Sequence, residues 1–140
     1  MPRLILLLAT LLTLAPRSAP AQSFGPPTAL TPVPVPRNMA AQDSALLLIE
    51  AYFDQTGPRD LFIIQLALNG SGRNIALTTD GRWGPMTRAA LARDLDTYAA
   101  INGYGANGAI RSIQDVPPFL SWVTAAAYAN ANPDTAEFPD

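Results

Sequence analysis

Residues 78–95 read TTDGRWGPMTRAALARDL, and an unusual share of the chain's reactive side chains falls within them. Asp80-Gly81 suits a tight turn, the aspartate accepting backbone hydrogen bonds and the glycine adopting a positive φ. Arg82 and Trp83 follow, a planar cation beside the largest aromatic ring, and Arg88 lies about one turn into the alanine-rich stretch. Together these groups can grip an anion. A guanidinium matches a carboxylate in two-point contact, and the start of a helix adds exposed N–H groups and a favourable dipole. The same residues can also be read as architecture. Pro85 pre-forms a first helical turn, Thr87 can bond the N–H groups of that turn, and Gly84 allows a close pass under a neighbouring element. Trp83 can seal two helices, over the second of them, as readily as it can face a ligand. Arg88 can pair with a carboxylate on its own helix.

Other chemistry is sparse. The chain has no histidine and no cysteine, and all nine of its basic residues are arginine. That excludes thiol and Ser-His-Asp nucleophiles and removes the commonest metal ligands, so no cofactor or metal is expected. Carboxylates remain. Glu50 and Asp54 lie at i, i+4, and Asp94 and Asp96 are close, so a glycosidase pair about 5 to 9.5 Å apart is conceivable. Such i, i+4 carboxylates also describe a solvated helix face, and the chain is expected to be non-catalytic.

The elements that must hold these groups begin after a leader. Arg3 supplies a positive start, Leu4 to Leu14 an apolar run, and Ala19-Pro20-Ala21 a small-residue cleavage site, which predicts a signal peptide over residues 1–21 cut after Ala21. The run is shorter than the roughly 20 residues that cross a bilayer, so no integral span is expected in the mature chain. No cysteine follows it to carry a lipid. The expected product is periplasmic or secreted. Without Arg3 and Arg17 it keeps seven arginines against eleven carboxylates, about −4, which disfavours nucleic acid and anionic membrane as partners.

Five prolines between Ser23 and Arg37 predict an extended linker or disordered tail over residues 22–38. One small helical domain is expected over 39–130, followed by an acidic tail over 131–140. Ser44 to Gln55, with Asp43 as its N-cap, forms the first helix and Gly57-Pro58 stops it. Leu61 to Asn69, capped by Asp60, is apolar on nearly every side and should be the most buried, with Asn69-Gly70 ending it. Pro85 opens the third, with Thr87, Leu91, Leu95 and Tyr98 on one face. The last starts near Pro117-Pro118 and turns Phe119, Trp122, Val123 and Ala126 inward, with Trp122 and Tyr128 assigned to the core. No alternating β-branched run is long enough for a sheet. The fold class is all-α.

Residues 63–95, IIQLALNGSGRNIALTTDGRWGPMTRAALARDL, resemble the peptidoglycan-binding domain of the PGBD-like family. Gln65, Leu68, Asn69, Gly72, Asp80-Gly81, Trp83-Gly84-Pro85, Thr87-Arg88 and Ala89-Ala90-Leu91 carry the resemblance. It implies a three-helix core, here with extra flanking helices, in an exported protein that contacts the cell wall. It implies as partner a peptidoglycan stem peptide or glycan, held by Asp80, Gly81, Arg82, Trp83 and Arg88. Arg82 and Arg88 would meet a stem-peptide carboxylate, N–H groups around Gly81 and Arg82 the amide carbonyls, and Trp83 the sugar or lactyl group. The alternative partner is a wall hydrolase or other envelope protein on which the domain docks.

Overall fold

The computed structural model describes residues 29–73, 75–105 and 108–131. Four helices make up most of them: α1 (Ala41–Thr56), α2 (Pro58–Gly70), α3 (Pro85–Ile101) and α4 (Val116–Ala131), with one 3₁₀ turn (Ile113–Asp115) leading into α4. No strand occurs among the described residues, so the fold is all-α. None of the described helices is long and apolar enough to cross a membrane. The predicted signal peptide, the start of the proline-rich segment and positions 132–140 lie outside the described residues.

The core is one cluster to which every helix contributes. Leu48, Ile49, Tyr52 and Phe53 come from α1, Leu61, Ile64 and Leu68 from α2, Leu91 and Leu95 from α3, and Phe119, Leu120 and Val123 from α4. The third helix buries the expected stripe of Thr87, Leu91 and Leu95, with Tyr98 packed at its edge. The most extensive helix contact is between α2 and α4, so the last helix closes the bundle over the apolar second one. Leu120 and Ala127 join the inward face of α4, whereas Trp122 is half-buried and Tyr128 lies mostly exposed rather than in the core.

Helix boundaries differ from the expected ones at several ends. Gly57, at φ +96°, accommodates a reversal that ends α1, and Pro58 starts α2 immediately after it. Asp60 therefore sits inside the first turn of α2, and Asp43 lies inside that of α1, which already begins at Ala41; neither caps its helix, although a carboxylate there still suits the helix dipole. At the other end of α2, Gly70 stays helical, and Gly72, at φ +70°, provides the left-handed residue. The second helix is also less buried than its composition suggests. Phe62 and Leu66, one turn apart, are 42% and 55% exposed.

The proline-rich segment does not stand off as a spacer along its described part. Leu30, Val33 and Val35 pack against the core while Pro32, Pro34 and Pro36 face outward. The Gln55 side chain clamps the strap by reading the backbone of Thr31 in both directions. Thr31 N donates to Gln55 Oε1 at 2.8 Å, and Gln55 Nε2 donates to Thr31 O at 3.1 Å. Residues 29–38 thus belong to the folded unit.

Candidate binding site

The Asp80–Pro85 turn is built from one buried side chain. Gln65 faces the bundle interior from α2, only 1% exposed, and a neutral amide cannot go unbonded there without cost. Its Oε1 accepts from Asp80 N at 3.1 Å and Gly81 N at 2.9 Å. Its Nε2 faces Arg82 O at 3.0 Å, Thr87 Oγ1 at 3.2 Å and Asp80 Oδ1 at 3.3 Å, three acceptors sharing two hydrogens. The two backbone N–H groups fix which end of the amide is oxygen. Through these bonds α2 holds the turn and the first turn of α3 together.

Around that amide each expected ligand group finds a definite place. Asp80 accepts from Arg82 N at 2.9 Å. This bond, helped by Gln65, holds its carboxyl below the usual range against the opposing effect of desolvation. Gly81 takes φ +67°, and a Cβ built there would come within 2.7 Å of the Pro58 carbonyl oxygen, so the turn lies directly on the start of α2. Trp83 is half-buried with its ring 6.1 Å from that of Phe53 in α1. Arg88 reaches Asp43 on α1 at 2.8 Å, a pair between helices rather than along one. Thr87 is buried and bonds Gln65 instead of its own helix's N–H groups.

Two expectations are corrected here. The N–H groups of Gly81 and Arg82, expected to meet ligand carbonyls, are already bonded to Gln65 and Asp80. Gly84 is extended at φ −149° with open space where a Cβ would be, so no close approach demands it. What the turn presents outward is the Arg82 side chain, which is exposed and makes no ion pair among the described residues. Just beyond it lies the start of α3, whose N-cap Gly84 has no side chain to bond the first N–H groups.

The other end of the α2–α3 connection is fastened differently. Asn69 donates to Leu77 O at 2.8 Å and accepts from Leu77 N at 2.7 Å, so it anchors the loop and does not cap α2. Arg73 bonds Asp94, a carboxylate 1% exposed on α3. Burial pushes the Asp94 pKa up, and Arg73 only partly offsets it. Sequence spacing gives no hint of this pair, which spans 21 positions.

Of the carboxylates considered for catalysis, two are engaged by other side chains. Asp94 is committed to Arg73, Asp96 accepts from Gln42 Nε2 at 3.0 Å, and Glu50 is half-buried beside an exposed Asp54. No group of three potential metal ligands occurs among the described residues. No family model matches the chain, and neither a curated protein nor a solved structure does.

Proposed function

We propose that the chain is an exported, non-catalytic module that binds peptidoglycan through the Asp80–Pro85 turn, with Arg82 as its ligand cation. The observation that carries this is the way Arg82 is held. Its N–H is bonded to Asp80 and its carbonyl to Gln65, while its guanidinium stays exposed without an ion pair among the described residues. A cation on a backbone fixed at both ends loses little further freedom on meeting a stem-peptide carboxylate. The uncapped start of α3 beside it favours the same charge. Trp83 supplies an apolar edge, and Asp80 and Gly81 shape the turn without touching ligand. The sequence resemblance of residues 63–95 and the leader-like residues 1–21 support the wall as the source of that carboxylate, in a periplasmic or secreted setting.

The test is co-sedimentation with purified sacculi. Saturable pelleting is expected, weakened about tenfold or more by Arg82→Ala, the worth of one charge-assisted contact. Circular dichroism should show the variant folded, because the exposed side chain of Arg82 supports nothing beneath it. Absence of pelleting by the intact protein overturns the reading. A second reading, docking on an envelope protein, is favoured by the exposed Phe62 and Leu66 on α2. It predicts that Leu66→Ser abolishes partner capture while sacculus pelleting stays unchanged.

A further inference from the structure

The far end of α3 carries a second group of aromatic side chains, remote in sequence from the turn. Tyr98 sits at its centre, with ring centroids 5.4 Å from Phe119, 5.4 Å from Trp122 and 5.8 Å from Tyr104. Phe119 is fully buried and anchors the group, stacked on Trp122 at 6.4 Å. Tyr98 and Trp122 are half-buried, and Tyr104 is 42% exposed. The aromatics therefore grade from core to surface, and the outermost ring contributes little to the core.

Local backbone geometry holds that outer ring in place. Gly103, at φ +67°, turns the chain back after α3, and Tyr104 N bonds Ala99 O at 2.9 Å. Tyr104 is thereby laid over Tyr98 before anything binds. A pre-positioned tyrosine offers a large contact face at small entropic cost. The rim is polar. Asp115 accepts from Arg111 N, Ser112 N and Ser112 Oγ, all on Oδ2, so Oδ1 has no donor among the described residues. Asp115 ends the 3₁₀ turn directly before α4, about one helical turn ahead of Phe119, and burial, Tyr104 and Asp115 together raise the Tyr98 pKa.

We propose that Tyr98, Tyr104 and Trp122 form an aromatic platform for a sugar chain, with Asp115 Oδ1 accepting from its hydroxyl groups. The electron-rich ring faces meet the polarised C–H face of a pyranose, and the carboxylate and phenols meet its hydroxyls. A purely apolar protein contact would leave Asp115 Oδ1 unpaired, at a desolvation cost. An anionic membrane surface is disfavoured by that carboxylate and by the net charge of −2. The identity of the sugar, an N-acetylhexosamine chain, rests on the wall-binding reading. The platform would then hold the glycan while Arg82 holds the peptide.

The chain's two tryptophans separate these contacts, since Trp122 lies in the platform and Trp83 in the turn. In a Trp83→Phe background all tryptophan emission comes from Trp122. Titration with a soluble N-acetylglucosamine tetramer should change that emission saturably. Adding Tyr104→Ala should weaken binding about three- to tenfold, the worth of one aromatic face. Tyr104→Phe should retain most of the affinity. If Trp83→Phe perturbs folding, calorimetry on the otherwise intact protein compares Tyr104→Ala with its parent directly. The platform is overturned by an unchanged Trp122 emission, or by a Tyr104→Ala variant that binds like its parent. Sacculus pelleting without tetramer binding sinks the platform alone. Tetramer binding without pelleting supports the platform and sinks the wall-binding reading.

Discussion

The two ends of the α2–α3 connection hold an arginine each and treat it in opposite ways. Near α2, Arg73 is committed to a buried carboxylate on α3, and its side chain is only 26% exposed. Near α3, Arg82 is exposed and without an ion pair among the described residues, because a neutral amide from Gln65 fastens the turn beneath it. The contrast shows how a small fold can use and spare the same residue type. An ionic fastening draws its strength from a charge that is then unavailable, and that strength varies with pH. An amide fastening is indifferent to pH and leaves the neighbouring charge uncommitted. Only the second arrangement can present a cation to a ligand.

The largest expected effect breaks the neutral end. Gln65→Ala removes the acceptor of Asp80 N and Gly81 N and the donor to Arg82 O, leaving several partly buried groups without partners. The expected loss is about 4 kcal/mol, at roughly 1 to 3 kcal/mol for each unsatisfied group with some relaxation to water. Urea unfolding should show a lower midpoint that changes little between about pH 5 and 8, since no titrating group is removed. A loss that depends strongly on pH in that window would mean the turn is held by charge after all.

Arg73→Ala breaks the ionic end and should cost about 3 kcal/mol near neutrality, because it strands a buried carboxylate. Here pH dependence is expected, and its sign follows from Asp94. Its folded pKa is raised, so its stabilising contribution is complete below the unfolded carboxylate range. It is lost as pH rises through the folded value. Removing Arg73 deepens that loss, so the variant should approach its parent in stability toward about pH 3 and diverge from it by about pH 7. Asp80 runs the other way. Its lowered pKa means a contribution present above the ordinary carboxylate range and lost as pH falls through the folded value. A cost of Arg73→Ala equal at both pH values would refute the ionic account of that end.

What the sequence made legible divides along the same line. Apolar spacing, with the Gly and Pro residues that punctuate it, locates four helices and the inward stripe of α3, because such signals depend on neighbours a few residues apart. Asp80, Gly81 and Pro85 were legible as turn and helix-start chemistry for the same local reason. Gln65 joins groups 15 to 22 positions away, and Arg73 to Asp94 spans 21. No local pattern announces either. The Gly81 N–H is expected to face outward because its partner, Gln65, lies on another helix, whereas the Arg82 N–H is taken by Asp80 within the turn itself. The strap was misread for a subtler reason. Leu30, Val33 and Val35 carry a half-buried apolar alternation, but the intervening prolines suggested a spacer. Asp43 and Asp60 read as caps because capping preference is a local rule, whereas α1 already begins at Ala41 and Gly57-Pro58 sets the start of α2 through backbone geometry.

Gly81→Ala probes how tightly the neutral end is seated, with a smaller expected cost of about 2 kcal/mol. The added Cβ meets the Pro58 carbonyl oxygen at 2.7 Å and Pro58 Cβ at 3.1 Å, at a φ that alanine rarely adopts. Neither neighbour is the tip of a flexible side chain, so the turn itself must shift. Binding should therefore suffer along with stability, Arg82 being carried on the displaced backbone. A variant destabilised by this amount that still pellets with sacculi like its parent would detach Arg82 from the wall contact.

The smallest effect comes from the exposed pair, and it calibrates the ionic end. Arg88 and Asp43 join α3 to α1 at 2.8 Å, with side chains 39% and 58% exposed. Water screens such a pair and both side chains lose freedom to make it, so a double-mutant cycle of Arg88→Ala with Asp43→Ala should give a coupling of about 0.5 kcal/mol. Added salt should shrink it further. The cycle of Arg73→Ala with Asp94→Ala should give a coupling several times larger, and one less sensitive to salt. The two cycles involve the same kind of contact, an arginine joining α3 to another segment. They differ mainly in whether the carboxylate is buried, and that difference decides whether an arginine here is a fastener or a surface charge. Equal couplings would mean that burial of Asp94 adds nothing, and the contrast between the two ends of the connection would then rest on Gln65 alone.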